Sequence, residues 1–161
     1  MDEAKKEAVG AALGKVASGI VILTTRHEEH ETGMLASWVQ QAAFEPPMIT
    51  VAVKNGRYIA DWIRQSGVLV INILGEGQKS YLAHFGKGFE PDQPAFEELG
   101  VERSTTGAPI LADALGFLDC RFAGELEAGD HTVFLAEVVD GGLHDDDEEP
   151  MVHVRRSGFT Y

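Results

Sequence analysis

The chain has 161 residues, 44% hydrophobic and 24% charged, a balance that suits one packed globular domain over 1–161 and excludes a disordered or fibrous chain. Its net charge of -13 and pI near 4.7 exclude a nucleic-acid binder driven by phosphate contacts, because that binding needs clustered Lys and Arg to displace counterions. Cys120 is the only cysteine, which rules out an intrachain disulfide and an all-cysteine metal centre and fits a reducing cytoplasm.

The first ten residues, MDEAKKEAVG, contain no apolar core of a signal peptide, so export is not expected. Residues 2–17 read as a helix: Asp2 caps, Glu3 suits the first turn, and Val9, Leu13 and Val16 recur at helical spacing until Gly19. The β-branched runs IVILTT (20–25), MITVAV (48–53) and VLVINIL (68–74) predict strands. The last is the longest strongly apolar stretch, too short to span a membrane and interrupted by Asn72. Between the second and third strands, Ile59, Trp62 and Ile63 give 57–66 a helical period. A further helix is expected after Gly77, with Leu82 and Phe85 on one side, then a loop over 86–94 and one helical turn at PAFEEL.

Further on, Cys120, Phe122, Gly124 and Leu126 alternate with Asp119, Arg121, Glu125 and Glu127, the pattern of a half-buried antiparallel strand. Ala128, Gly129 and Asp130 supply a turn, and HTVFLAEVVD returns as the hairpin partner. The acidic run 145–149 predicts a solvated turn before a last strand at 151–155. Strands dominate and helices are few and peripheral, so the residues point to an antiparallel barrel or sandwich rather than to alternating βαβ units.

Several chemistries are poorly supported. Gly75 and Gly77 follow a strand and precede a helix, but Ser80 stands where a dinucleotide fingerprint has its third glycine. His27 and His30 lie in the charged loop HEEHE, read as solvated, while His84, His131, His144 and His153 are dispersed, so no metal site is expected. Cys120 falls on the inward side of its strand, where cysteine behaves as a small hydrophobe, and Ser37 lacks a GxSxG elbow. The run 33–57 is more informative. It joins a Ser-bearing strand or turn, a Pro-Pro corner, a β run and the cationic loop Lys54, Asn55, Gly56, Arg57 at a helix start. Backbone groups there suit a planar heterocycle, and N–H groups with two cations suit a phosphate. The plain alternative is a capping turn with solvated cations.

Together these segments resemble the flavin reductase-like family of FMN-binding split β-barrels. The carriers are GMLASWVQQAAFEPP (33–47), VLVINIL (68–74), QKSYLAHF (78–85), APILADALGFLDC (108–120) and the triplet Gly129, Asp130, His131. Their order and spacing match over about 130 residues. The ASW tripeptide, the EPP corner and the closing Gly158 to Tyr161 are similar to the C-terminal flavin reductase module of cyanobacterial diflavin flavoproteins, here expected to stand alone.

The resemblance implies an antiparallel Greek-key split barrel with a few peripheral helices, binding FMN in preference to FAD. By position, the backbone of Gly33, Met34, Leu35, Ala36 and Ser37 would hold the ring edge. Ser37, Trp38, Lys54 and Arg57 would lie at the ribityl and phosphate end, Asn72 and Leu74 would border the cofactor, and His84 and Phe85 would cover it. His131 is the expected catalytic or orienting group where nicotinamide approaches. Lys79, Lys87, Arg155, Arg156 and Tyr161 are secondary candidates for anion or dimer contacts. Two departures bear on FMN against FAD: Leu35 stands where many relatives carry Thr or Ser, and 54–57 replaces hydroxyl donors by charge.

The expected activity is an NAD(P)H-dependent FMN reductase that passes electrons to a partner protein or a free acceptor such as flavin, working as a cytoplasmic homodimer. A non-enzymatic FMN electron carrier or store, and an interaction module with an empty barrel, are the alternatives.

Overall fold

The computed structural model describes residues 1–103 and 105–161. Helix α1 (Glu3–Gly14) begins as expected: the Lys5 N–H donates to Asp2 Oδ1 at 2.8 Å, capping the first turn. Its packing face is different. Leu13 and the following Val16 are 43% and 65% exposed, while Gly10 and Gly14 are buried. The reason is a backbone-to-backbone contact, in which Gly158 N–H donates to the Gly10 carbonyl (2.7 Å) and Arg155 N–H to that of Gly14 (3.0 Å). Apolar periodicity carries no trace of a face chosen for small size.

The strands follow in chain order as β1 (Ser18–Gly19), β2 (Val21–His27), β3 (His30–Ala36), β4 (Val39–Phe44), β5 (Pro47–Lys54), β6 (Val68–Ile73), β7 (Val101–Arg103), β8 (Pro109–Leu111), β9 (Gly116–Ala128), β10 (His131–Leu143) and β11 (Val152–His153). Helix α2 (Tyr58–Ser66) precedes β6 and α3 (Lys79–Gly86) follows it. Seven strands form one antiparallel sheet in the order β3-β2-β6-β9-β10-β5-β4, and β1 with β11 and β7 with β8 form small ribbons. Strands β3 and β4 are the two edges, yet only residues 37 and 38 separate them in the chain. Flat, those edges would lie roughly 29 Å apart at ordinary strand spacing, and three Cα steps reach at most about 11 Å. The sheet must therefore curl into a barrel left open between β3 and β4.

The barrel interior gathers Leu23, Val51, Val53, Leu69, Ile71, Cys120 and Phe134, joined by Ile59 and Ile63 of α2. A second cluster on the outer face holds Ile20, Ile22, Leu74, Tyr81, Phe85 and Leu111. Both faces of β2 are thus covered, which explains its uninterrupted apolar run. In α3 the buried pair is Tyr81 and Phe85, with Leu82 only half-buried. The PAFEEL segment forms turns instead of a helix, and β4, β7 and β8 were not predicted. Strand β4 is a mostly exposed edge without the alternation that marks a half-buried strand.

The alternation expected along β9 holds only in part. Cys120 is fully buried, but so is Asp119 on the other face, whose carboxylate accepts the Thr106 N–H (2.8 Å) and Oγ1–H (2.6 Å). Leu126 is 67% exposed. A bulge between Phe122 and Gly124 reverses the phase, so Glu125 pairs with Phe134 and shares its face. There Arg64 Nε donates to Glu125 Oε2 at 2.7 Å, and the guanidinium lies 5.3 Å from the Phe134 ring centre. Strand β11 is shorter than predicted, and Glu148 of the acidic run turns back to accept the Gly77 N–H at 2.8 Å.

Asn72, the polar break in β6, is fully buried with both amide heavy atoms hydrogen-bonded. Nδ2 donates to the Ile22 carbonyl (3.0 Å) and Thr24 Oγ1 (3.1 Å), and Oδ1 accepts the Leu111 N–H (2.8 Å). Asn72→Ala strands that N–H in the core and is expected to cost about 1–3 kcal/mol in urea unfolding at unchanged m-value. Burial, with a smaller contribution from Asp119, pushes the Cys120 thiol up to about 12. Iodoacetamide at pH 8 should therefore label Cys120 only in denaturant; rapid labelling of the native protein would contradict the placement.

Candidate functional site

The site is built where the end of β5 meets the start of β10. Lys54 pairs directly with His131 in the ladder. The next residue, Asn55, ties the two turns together: its N–H donates to the Asp130 carbonyl (2.9 Å), its Nδ2 to the Gly129 carbonyl (3.2 Å), and its Oδ1 accepts from Thr132 Oγ1 (2.9 Å). Gly56 then turns the chain at φ +82°, a left-handed value that favours glycine, and no atom lies within 4 Å of where a Cβ would stand. Arg57 takes the N-cap position of α2 without a side-chain cap hydrogen bond. The helix start therefore presents backbone donors and the positive end of its dipole beside two cationic side chains. Lys54 and Arg57 are exposed, and neither belongs to an ion pair among the described residues.

His131 is 6% exposed and held on two sides. In the neutral ring Nδ1–H donates to Asp130 Oδ1 (2.7 Å), leaving Nε2 to accept the Tyr161 hydroxyl (2.6 Å). The hydrogen bond from His131 is the chief reason the Asp130 carboxyl sits below its ordinary range, with Lys54 adding a smaller pull. Burial raises the Tyr161 phenol, Asp130 raises it further, and Arg57 and Arg155 pull the other way. Trp38 completes the cluster, its ring centre 4.7 Å from His131 and 5.0 Å from the Arg155 guanidinium carbon. The Trp38 carbonyl accepts the Ala52 N–H (3.0 Å), which pins the β3–β4 connection against β5.

Arg57 lines three cavities. One of about 210 Å³ also has Thr32, Gly33, Met34, Tyr58 and Phe89 in its wall. A second, of about 270 Å³, adds Lys54, Asn55 and Thr132. The third is an open groove of about 990 Å³ with His84, Lys87, Glu90, Glu97 and Glu98. Ser37 and Trp38 face a separate cavity of about 510 Å³ between Val39, Thr50 and Val133.

The expected site residues thus divide. Gly33 and Met34 share a cavity wall with Arg57, Lys54 shares a second with it, and His84 a third, so Arg57 is the common member. His131 is joined to them through its ladder pairing with Lys54, its ring standing against Trp38 and Tyr161. Gly33 offers backbone alone because Phe85 fills the space behind it, 2.6 Å from where a Cβ would stand. Phe85 is 2% exposed, packed behind Gly33, and Leu74 is fully buried. Asn72 is fully buried, with both Nδ2 hydrogens and Oδ1 bonded within the fold. Leu35 and Ala36 pack into the two apolar clusters. Leu74 and Asn72 are fully buried and Leu35 and Ala36 are packed in those clusters, so none of these four lines the cavities described above. Tyr58 was missed: its hydroxyl donates to the Phe89 carbonyl (2.9 Å) and accepts from Thr32 Oγ1 (2.7 Å), clamping the 88–90 loop over the 210 Å³ cavity. Only its place after the Lys54–Arg57 turn hinted at this. Among the described residues no group of three or more His, Cys, Asp or Glu side chains is placed to hold a metal ion. No helix among them is long and apolar enough to cross a membrane.

Known proteins agree on the frame. Residues 13–160 match the flavin reductase like domain. Diflavin flavoprotein A 1 of Synechocystis sp. is 37% identical over 93% of this chain, which spans 26% of that protein. Among solved structures, the flavin reductase PheA2 superposes with a TM-score of 0.78 at 28% identity, covering 96% of this chain and 94% of its own. The styrene monooxygenase flavin reductase of Pseudomonas putida S12 gives 0.78 at 28% identity over 89% and 90%. With the open antiparallel barrel and the sequence match over nearly its whole length, the chain belongs to the flavin reductase-like family.

Proposed function

We propose that this chain binds FMN and reduces it with NADH or NADPH, passing the electrons to a partner protein or to a free acceptor such as flavin. The observation that carries the reading is the junction of Lys54, Asn55 and Arg57 with the Gly129–Asp130–His131 turn, which sets an anion corner beside a buried, oriented histidine. The residues fit the group. Two cations that form no ion pair among the described residues, in a chain with 26 acidic and 13 basic residues, stand ready for a phosphate dianion. Gly56, with nothing within 4 Å of where a Cβ would stand, leaves its backbone open to a ligand, and Gly33 lines the adjoining cavity.

FMN is favoured over FAD by charge. Beyond Arg57 the groove carries Glu90, Glu97 and Glu98 against Lys87, a poor setting for a second phosphate.

Bound FMN supplies the redox chemistry by accepting a hydride from the reduced nicotinamide. The protein's part is position and electrostatics. Lys54, Arg57 and the start of α2 fix the phosphate, Tyr58 closes the adjoining wall, and His131, its tautomer set by Asp130, orients the nicotinamide carboxamide. The same reading takes 1–161 as one working domain and the chain as a cytoplasmic homodimer. Phe44, 88% exposed on the β4 edge, is the apolar material a second copy would cover.

A second reading, an FMN electron carrier or store without pyridine-nucleotide activity, is favoured by one observation: Nε2 of His131 is already occupied by Tyr161. Anaerobic mixing separates the two. The reductase reading expects NADH or NADPH to bleach the flavin band at about 450 nm, and a band unchanged by either leaves the carrier. Lys54→Ala with Arg57→Ala should weaken FMN binding by about tenfold or more, while Lys5→Ala with Lys6→Ala should leave it unchanged. Equal effects would remove the phosphate from this corner.

A further inference from the structure

Residues 155–161 form a strap that runs along α1 and ends at the site. Helix α1 is its rail. A Cβ on Gly14 would stand 2.5 Å from the Arg155 carbonyl oxygen, and one on Gly10 2.9 Å from Ser157 Oγ, so the strap lies where only glycine leaves room. Two backbone hydrogen bonds to those glycines hold it, and Lys6 Nζ sits 6.0 Å from the Phe159 ring centre. Arg155 Nη1 donates to the Gly158 carbonyl at 3.4 Å, closing the strap on itself, while its guanidinium covers Trp38. The strap delivers Tyr161 to His131.

The Tyr161 contact is well aimed but lightly held. Its hydroxyl is 2.6 Å from Nε2, with the two ring centres 6.3 Å apart and edge-on, yet the residue is 74% exposed. Asp130 already takes Nδ1–H, so Nε2 is the one ring nitrogen able to accept from a ligand. A carboxamide N–H seeking it must replace the phenol O–H. We propose that Tyr161 is a displaceable cap on His131, carried by the strap on α1, and that an incoming nicotinamide carboxamide takes its place on Nε2.

This inference rests on the flavin reductase reading. It makes Tyr161 a positioning residue that sets nucleotide access, and it reconciles the occupied histidine with catalysis. A site closed for most of the time binds more weakly in proportion to its open fraction.

The test uses Tyr161→Phe, which keeps the ring and removes the hydroxyl, and Gly10→Ala, which loosens the strap at a distance. In FMN-loaded protein both variants should lower the KM for NADH about three- to tenfold, with kcat and the FMN dissociation constant within about twofold. In protein without added flavin, ¹⁵N-histidine NMR should show His131 protonated on Nδ1, with the Nε2 resonance shifted in both variants. An unchanged or raised KM in Tyr161→Phe overturns the cap, as does an Nε2 resonance insensitive to that substitution. Wild-type protein that takes up no FMN overturns the flavin reading beneath it, an outcome told apart by its missing flavin spectrum.

Discussion

The two-residue connection between β3 and β4 is the constraint from which the rest of the structure follows. It joins opposite edges of a seven-stranded sheet, so the sheet has to close on itself. Closure brings Trp38 over the β5 and β10 strands and against His131. It also encloses the apolar faces of β2, β6 and β10 around Phe134, while α2 packs Ile59 and Ile63 into that core. Because α2 is anchored by its apolar face, its N-terminus is held at the end of β5, where the cations stand. The barrel core and the anion corner are two consequences of one short link.

A second theme is how an acidic protein keeps local positive charge available. Elsewhere Arg64 and Arg103 are committed to carboxylates. At 54–57 the carboxylate of Asp130, which acts on Lys54 across the turn, is engaged by His131, and Lys54 and Arg57 are exposed. Tying up one acid with a histidine thus serves two ends, fixing the imidazole tautomer and sparing the cations. Asn55 makes the arrangement rigid by bonding to both turns at once.

Much of the frame was legible in the residues. β-Branched runs marked β2, β5 and β6, the Ile59, Trp62, Ile63 period marked α2, and Gly129 with Asp130 marked the β9–β10 turn. The cationic loop was visible because charge and a strand-to-helix transition coincide in four residues. What failed to show had physical causes. The glycine face of α1 reads as an absence of side chains, and the bulge after Phe122 reverses an alternation that looks unbroken in one dimension. Asn72 reads in one dimension as a polar group open to a ligand, whereas it is fully buried and bonded to three partners within the fold. Ser37 and Trp38 are adjacent to Gly33 in sequence, yet they face a different cavity. The contact of Tyr161 with His131 spans 30 positions and has no local signature. Resemblance carried the family, and three-dimensional packing shows which of the expected positions are buried and which line cavities.

The central claim is that the 54–57 turn and the His131 hairpin form one flavin site. A crystal structure of the protein with FMN tests it most directly. The account predicts the phosphate within hydrogen-bonding distance of the Arg57 guanidinium and the start of α2, with the ring reaching Gly33 and one face open toward His131. An FMN seated instead in the cavity of Ser37, Val39 and Thr50, with Lys54 and Arg57 free in solvent, would contradict it.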